Sequence, residues 1–384
     1  MRHASVAASD PQAIQATIAR ALAAAGIGTI PGPVRGVAAT VGRALAGSGL
    51  PARPAASGAD DSVIEGSARV VGRAEPRVHP ASPAAERSDA PGGRFLAGSF
   101  TNGAGTRVYR LYVPAERDGF PEAMPLVVML HGCTQSPEDF ATGTRMNALA
   151  DRHGFLVLYP GQATHANGSN CWNWFRAEDQ LRDRGEPSLI AGITRETIAT
   201  HRVDPTRIFV AGLSAGAAMA VILGETYPDL YAGVGAHSGL PYAAAHDMPS
   251  AFGAMKAQGA RTPRQRPDAR RNPVPTIVFH GDRDTTVDAS NGEAIVADAV
   301  AAWSTASRPR AVAAGRSRAG NRDCSRVDYL DARGRTVVAH CIVHGAGHAW
   351  SGGDTGGSFA DANGPNASLE MLRFFRIAPE GAGV

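Results

Sequence analysis

A chain of 384 residues has room for one large α/β domain with an appendage, or for two modest domains. Its apolar fraction of 43 % permits a full core, yet no apolar run is long enough to read as a membrane-spanning helix. The formal charge of +3 rests almost wholly on arginine, with Lys256 the lone lysine, and the Arg-rich stretch 261–271 lacks interleaved aromatics; a solvated loop is expected there, not a nucleic-acid surface.

Residues 1–93 are rich in Ala, Pro, Gly and Arg and nearly devoid of aromatics. The spacing predicts a short helix capped by Asp10, with Pro11 at its first position and Ile14, Ile18 and Leu22 on one face. A second is predicted over 33–47 with Val34, Val37, Val41 and Leu45, weakened by Gly36 and Gly42. Residues 48–93 read as a disordered linker. A flexible tail is the plain expectation. The sharper one is a weakly basic amphipathic tail that docks on a polymer granule or lipid surface, which would make the chain a surface-binding protein.

From Arg94 onward, strand-like and helix-like patterns alternate. Residues 95–100 and 107–113 read as an antiparallel pair turning through Asn102-Gly103. The continuous apolar run 126–130 has the character of a strand buried on both faces of a parallel sheet. Helices over 145–153 and 188–201 precede strands over 155–159 and 207–212. A helix over 217–227, strands over 232–236 and 276–280, and helices over 291–303 and 367–375 complete a domain spanning 94–376, leaving 377–384 as a tail. Such strand–helix units specify a mostly parallel sheet covered on both faces, with chemistry in loops at the carboxyl ends of the strands.

The strand 207–212 runs into Gly212-Leu213-Ser214-Ala215-Gly216 and a helix begins at once, which is the nucleophile elbow of the α/β-hydrolase fold. In a chain with 45 glycines the five-letter pattern alone arises by chance about 0.3 times; the strand–turn–helix context gives it force. A serine hydroxyl needs a base to take its proton and an acid to orient the base, in the chain order Ser, acid, His. The loop Gly281-Asp282-Arg283-Asp284 supplies the acid, with Asp284 preferred, Asp282 second and Asp288 third. Among the late histidines, His340 and His344 lie in or at the end of an apolar strand, where a structural role is expected. His348, between Gly347 and Ala349 in a glycine-rich loop, is the expected base. The oxyanion needs two backbone donors: Ala215 N–H, and Cys133 N–H from the loop His131-Gly132-Cys133, where the His131 side chain is expected to hold the loop.

Four cysteines fit two disulfides, Cys133–Cys171 and Cys324–Cys341, and an oxidising compartment, extracellular or periplasmic; the alternative is four small buried thiols, and for location an intracellular, granule-associated protein. Trp172, Asn173, Trp174 and Phe175 form an aromatic cluster without regular period, either a satellite core or a substrate-contacting wall. No metal-ligand or phosphate-cradling spacing appears, so no cofactor is expected, and a monomer is.

Residues 94–376 resemble the catalytic domain of the short-chain poly(3-hydroxyalkanoate) depolymerase family, whose wider relatives include feruloyl and acetylxylan esterases. The resemblance is carried by residues 126–146 (LVVMLHGCTQSPEDFATGTRM), 170–175 (NCWNWF), 210–218 (VAGLSAGAA) and 347–353 (GHAWSGG). It implies Ser214, Asp284 and His348 as triad, Cys133 as oxyanion donor, Trp174 as a contact for the polyester chain, and hydrolysis of poly(3-hydroxybutyrate) to short hydroxyacid oligomers. Secreted members often append a linker and a polymer-adsorbing domain, whereas this chain ends soon after its last predicted helix and carries a long N-terminal tail; amorphous granules, oligomers and small esters stay open as substrates.

Overall fold

A computed structural model describes residues 92–115, 120–257, 273–319 and 321–379. The chain divides into two units, residues 1–29 with 84–384 and residues 30–83, and every described residue belongs to the first. The expectations for the N-terminal helices, the linker and the Arg-rich loop fall outside the described residues.

Ten strands form one sheet in the order β1-β2-β4-β3-β5-β6-β7-β10-β9-β8. Its centre is β4 (Leu156–Pro160), β3 (Met124–Leu130), β5 (Val203–Leu213), β6 (Gly233–His237), β7 (Thr276–Gly281) and β10 (Thr336–Val343), which are mutually parallel. Antiparallel strands flank it: the hairpin β1 (Arg94–Asn102) and β2 (Gly105–Val113) at one edge, β8 (Arg310–Ala319) and β9 (Arg322–Leu330) at the other. A two-stranded ribbon, β11 (Trp350–Ser351) and β12 (Ala360–Asp361), lies apart from it.

The reason for the central placement of β3 is legible in its side chains. Leu126, Val128 and Leu130 enter one core cluster, and Val127 and Met129 the other, all with no exposure. A strand whose two faces are equally apolar is stable only between two covering layers. One layer contains α3 (Gly185–Thr200), α4 (Ala215–Thr226) and α6 (Ser290–Ala301). The opposite one contains α1 (Pro137–Thr144), α2 (Met146–His153) and α7 (Ala367–Phe374). Among the described residues no helix is long and apolar enough to cross a membrane.

Several boundaries differ from those read in the sequence. The helix expected over 145–153 begins at Met146, and a separate helix, α1, precedes it, because Arg145 takes a left-handed φ of 55° that ends one helix and opens the next. The Ser136 side chain caps α1 by accepting Asp139 N–H at 3.2 Å, a start signal with Pro137 at the first position. Helix α5 (Met248–Met255) and strand β8 were not expected. The predicted Cys324–Cys341 disulfide is corrected: both are free, buried thiols. The antiparallel register pairs Cys324 with Val343 and Cys341 with Arg326, so the two cysteines are diagonal and not opposed, and an irregularity between Thr336 and Val338 sets that register.

Candidate active site

Strand β5 ends at Leu213, α4 begins at Ala215, and Ser214 between them has φ 57° and ψ −120°. A non-glycine residue in this region costs on the order of 1–3 kcal/mol and persists only where its surroundings fix it. Here Ser214 N–H donates to His237 O at 2.9 Å, and Ser214 O accepts Ala218 N–H at 3.0 Å. The flanking glycine at 216 is required by contact: a Cβ there would stand 2.1 Å from Leu130 O and 2.6 Å from His131 O. The elbow is thus wedged against the end of β3, and Ala215 N–H is the first amide of α4, one of those with no intrahelical acceptor.

The acid and base expected from the sequence meet. His348 Nδ1 lies 2.7 Å from Asp284 Oδ2, with the two side chains 6 % and 0 % exposed. Asp284 Oδ1 accepts the amides of Thr286 and Val287, each at 2.9 Å. A carboxylate only accepts, so Nδ1 of His348 carries a proton and a neutral ring leaves its Nε2 lone pair free to take one. Burial opposes the Asp284 charge, but the hydrogen bonds and charges of His280 and His348 outweigh it and hold the carboxyl well below the usual range. His280 is the partner that sequence reasoning missed: it is the penultimate residue of β7, donates from Nε2 to Val287 O at 2.9 Å and stands 3.5 Å from Asp284 Oδ2.

The alternatives sort themselves by partner. Asp282 binds His344 instead, Oδ2 to Nδ1 at 2.8 Å, and Asp288 accepts Ser290 N–H at 3.0 Å as a turn residue. His340 is buried within β10, and burial, with the His280 charge beside it, pushes its pKa down to about 4. His237, on β6, is fully buried. Its Nε2 accepts Ser351 N–H at 3.0 Å, and burial, followed by the charges of His280 and His348, lowers its pKa to about 3, so it stays neutral.

The loop after β3 is held from three sides. His131 Nδ1–H donates to Gly132 O at 2.8 Å, while Nε2 accepts Gln162 N–H at 3.1 Å. That tautomer requires a neutral ring, and burial pushes its pKa down accordingly. Gln135 Oε1 accepts Gly132 N–H at 2.9 Å, and its amide reaches Asp139 and Ser358 O. Third, Cys133 and Cys171 form the expected disulfide, their Cα atoms 4.2 Å apart. Because a trans peptide points its C=O and N–H in opposite directions, fixing Gly132 O fixes the direction of Cys133 N–H. The loop abuts the elbow: a Cβ on Gly132 would lie 3.6 Å from Ser214 Cβ.

Behind it sits Glu186, on α3, which sequence reasoning also missed. Its carboxylate takes Arg107 Nη2 at 3.1 Å, Gln162 Nε2 at 2.5 Å, and both the amide and the side chain of Asn173 at 2.7 Å. The aromatic segment is consequently drawn inward. Trp172 has no exposure and packs against His131, so its expected role as a substrate contact is corrected to core. Trp174 keeps 6 % exposure, edge-on to Phe175. A charged hub assembled from separate segments has no periodic signature; Glu186 stands in the polar stretch Asp183-Arg184-Gly185-Glu186-Pro187-Ser188, and only Asn173, between Trp172 and Trp174, interrupts an apolar run.

The chain is similar to known esterases. Over 200 residues the chain is 38 % identical to poly(3-hydroxyalkanoate) depolymerase C of Paucimonas lemoignei, covering 50 % of this chain and 47 % of that one. It is 31 % identical over 201 residues to feruloyl esterase B of Neurospora crassa, covering 49 % and 66 %. The chain therefore spans about half to two thirds of the length of these relatives. An acetyl xylan esterase structure from Aspergillus awamori superposes with a TM-score of 0.53 at 18 % identity, over 71 % of this chain and 94 % of that one, a likeness of fold. The family model described as Esterase PHB depolymerase matches residues 107–322, and this chain, an α/β-hydrolase in fold, belongs to that family.

Proposed function

We propose that residues 94–376 form a serine esterase domain that hydrolyses ester bonds of poly(3-hydroxybutyrate) or its oligomers through an acyl-enzyme, with Ser214 as nucleophile, His348 as base and Asp284 as the orienting acid. The observation that carries this reading is placement. Ser214, Asp284 and His348 follow β5, β7 and β10, parallel strands of one sheet, so all three emerge at its carboxyl edge, and the serine sits in the strained elbow while the other two are already hydrogen-bonded.

In this mechanism the Ser214 hydroxyl passes its proton to His348 Nε2 as Oγ attacks the ester carbonyl. The tetrahedral oxyanion is met by Cys133 N–H and Ala215 N–H, donors fixed before reaction and so free of reorganisation cost. The imidazolium, stabilised by Asp284, returns the proton to the departing hydroxyacid alcohol. Water then repeats the sequence on the acyl-enzyme. Trp174 is assigned to contact the polyester chain. The Cys133–Cys171 bond fits an oxidising compartment, extracellular or periplasmic.

Ser214→Ala is expected to lower turnover of a short-chain nitrophenyl ester by on the order of 10⁴-fold or more; retained turnover would remove Ser214 from the chemistry. The similarity to a feruloyl esterase supports a second substrate reading. Rates on amorphous poly(3-hydroxybutyrate) and on methyl ferulate, measured side by side, separate the two.

A further inference from the structure

Beyond this esterase reading, we propose that Ser325 is a second nucleophilic hydroxyl, activated by His344 and Asp282, that accepts acyl or phosphonyl groups from small activated electrophiles. Ser325 Oγ lies 2.7 Å from His344 Nε2, and His344 Nδ1 lies 2.8 Å from Asp282 Oδ2. The carboxylate accepts from Nδ1–H, which leaves Nε2 of the neutral ring as an acceptor, so the bond to Ser325 is donated by the serine hydroxyl. This is the order nucleophile, base, orienting acid, joined by two hydrogen bonds of ordinary length. It shares no residue with Ser214, Asp284 and His348.

The arrangement is both anchored and reachable. Asp282 Oδ1 accepts Gly345 N–H at 2.7 Å, His344 N–H donates to Asp323 O at 2.9 Å, and Arg322 Nη1 donates to Gly345 O at 2.5 Å. Meanwhile the His344 and Asp282 side chains remain 31 % and 38 % exposed, and Ser325 is half-buried on β9. In the transfer step the bond from Oγ to the acyl carbon or phosphorus forms as the bond to the leaving group breaks. The serine proton moves to His344 Nε2, then to the departing group, and no oxidant or reductant is involved. Ser325 lies within a regular strand and not at the mouth of a helix, so it lacks the helix-terminal amide that Ser214 has in Ala215. Loss of such a donor costs about 10²–10³ in rate, and Ser325 is accordingly the slower site.

The test uses the full chain carrying Ser214→Ala, treated with a fluorophosphonate and mapped by peptide fragmentation. An adduct on Ser325 is expected, forming about 10²-fold more slowly when His344→Gln is added. In the unsubstituted chain, reagent in excess is expected to add first to Ser214 and then to Ser325, a measurement that needs no variant to fold. Absence of an adduct on Ser325 in both chains, or a labelling rate unchanged by His344→Gln, overturns the proposal. An unlabelled Ser214 would instead count against the esterase reading, since the two serines are read separately.

Discussion

Replacing Asp284 by Asn isolates the role of the carboxylate, because it preserves shape while exchanging one acceptor for a donor. The native Oδ1 accepts Thr286 and Val287 amides at 2.9 Å each, so the Asn carbonyl is expected to keep that position. The amide NH₂ then faces His348 Nδ1, at the present 2.7 Å contact, where the imidazole also carries its proton. Two donors cannot share the bond, so the ring must move its proton to Nε2, the atom required to receive the Ser214 proton. A base held in the wrong tautomer lowers kcat by about 10⁴, which at 1.36 kcal/mol per decade is about 5.4 kcal/mol of barrier. Stability moves in a separate, pH-linked way. Asp284 is held below its unfolded value of about 3.9, so its ionisation stabilises the fold above that pH and the contribution disappears as pH falls. The Asn variant should therefore be less stable than the parent at pH 7, and the gap should close in acid. Saturation kinetics on a nitrophenyl ester, with urea midpoints at several pH values, read both quantities. A folded variant with kcat within tenfold of the parent would refute the tautomer argument.

Three further outcomes follow from other parts of the site. Breaking the Cys133–Cys171 bond by Cys171→Ser opens a loop closed across 38 positions, which chain entropy values at about 4 kcal/mol; the denaturant midpoint should fall, and kcat should fall more than KM rises because the donor at Cys133 loosens. His237 and His340, with pKa values lowered to about 3 and about 4, stay neutral in the fold while the unfolded chain protonates near 6.5, so their stabilisation is complete above that pH and is lost as pH falls. From pH 6 to 4 each contributes a slope of up to about 1.4 kcal/mol per pH unit, and a flat midpoint over that span would contradict it. Gly216→Ala would place a methyl against Leu130 O, a backbone atom with no freedom to yield; expression without soluble fold, or loss of several kcal/mol, is expected, and a parent-like melting curve would show that the elbow relaxes.

The sheet and the three loop tips were legible because they are written in local patterns. The run 126–130, apolar at every position, can only be central, and Gly212-Leu213-Ser214-Ala215-Gly216 ends a strand where a helix of small residues starts. The choice of Asp284 over Asp282 and of His348 over His344 was also within reach, the first from the length of the loop after its strand, the second because His348 stands among glycines past the strand that His344 ends. What escaped was non-local. Nothing near Glu186 in the chain announces that it gathers Arg107, Gln162 and Asn173, residues brought together from three other segments. His280 read as a strand terminus, and its contact with Asp284 depends on how tightly the acid loop turns back. The Cys324–Cys341 expectation failed on register: the strands oppose Cys324 to Val343 and Cys341 to Arg326, and even the pairing that precedes the irregularity between Thr336 and Val338, carried on regularly, would oppose them to Ile342 and Ser325.

The same distinction explains why the oxyanion loop is built as it is. A single amide aimed at a developing charge helps only if it need not move when that charge appears. Gly132 gives the backbone close access to Ser214 but contributes no side chain to hold it. The constraint must come from outside: His131 on the carbonyl, Gln135 on the amide, and the disulfide on the next residue. His131 is in turn fixed by the Gln162 backbone, whose side chain ends on Glu186, and the disulfide leads to Cys171, two residues before Asn173, which ends on Glu186 as well. Two routes from the loop thus converge on one buried carboxylate. Removing that carboxylate's charge should loosen the loop through both routes at once, so Glu186→Gln and Cys171→Ser are expected to be less than additive in kcat, the signature of residues acting on one rigid body. Full additivity would mean that the two routes hold the donor independently.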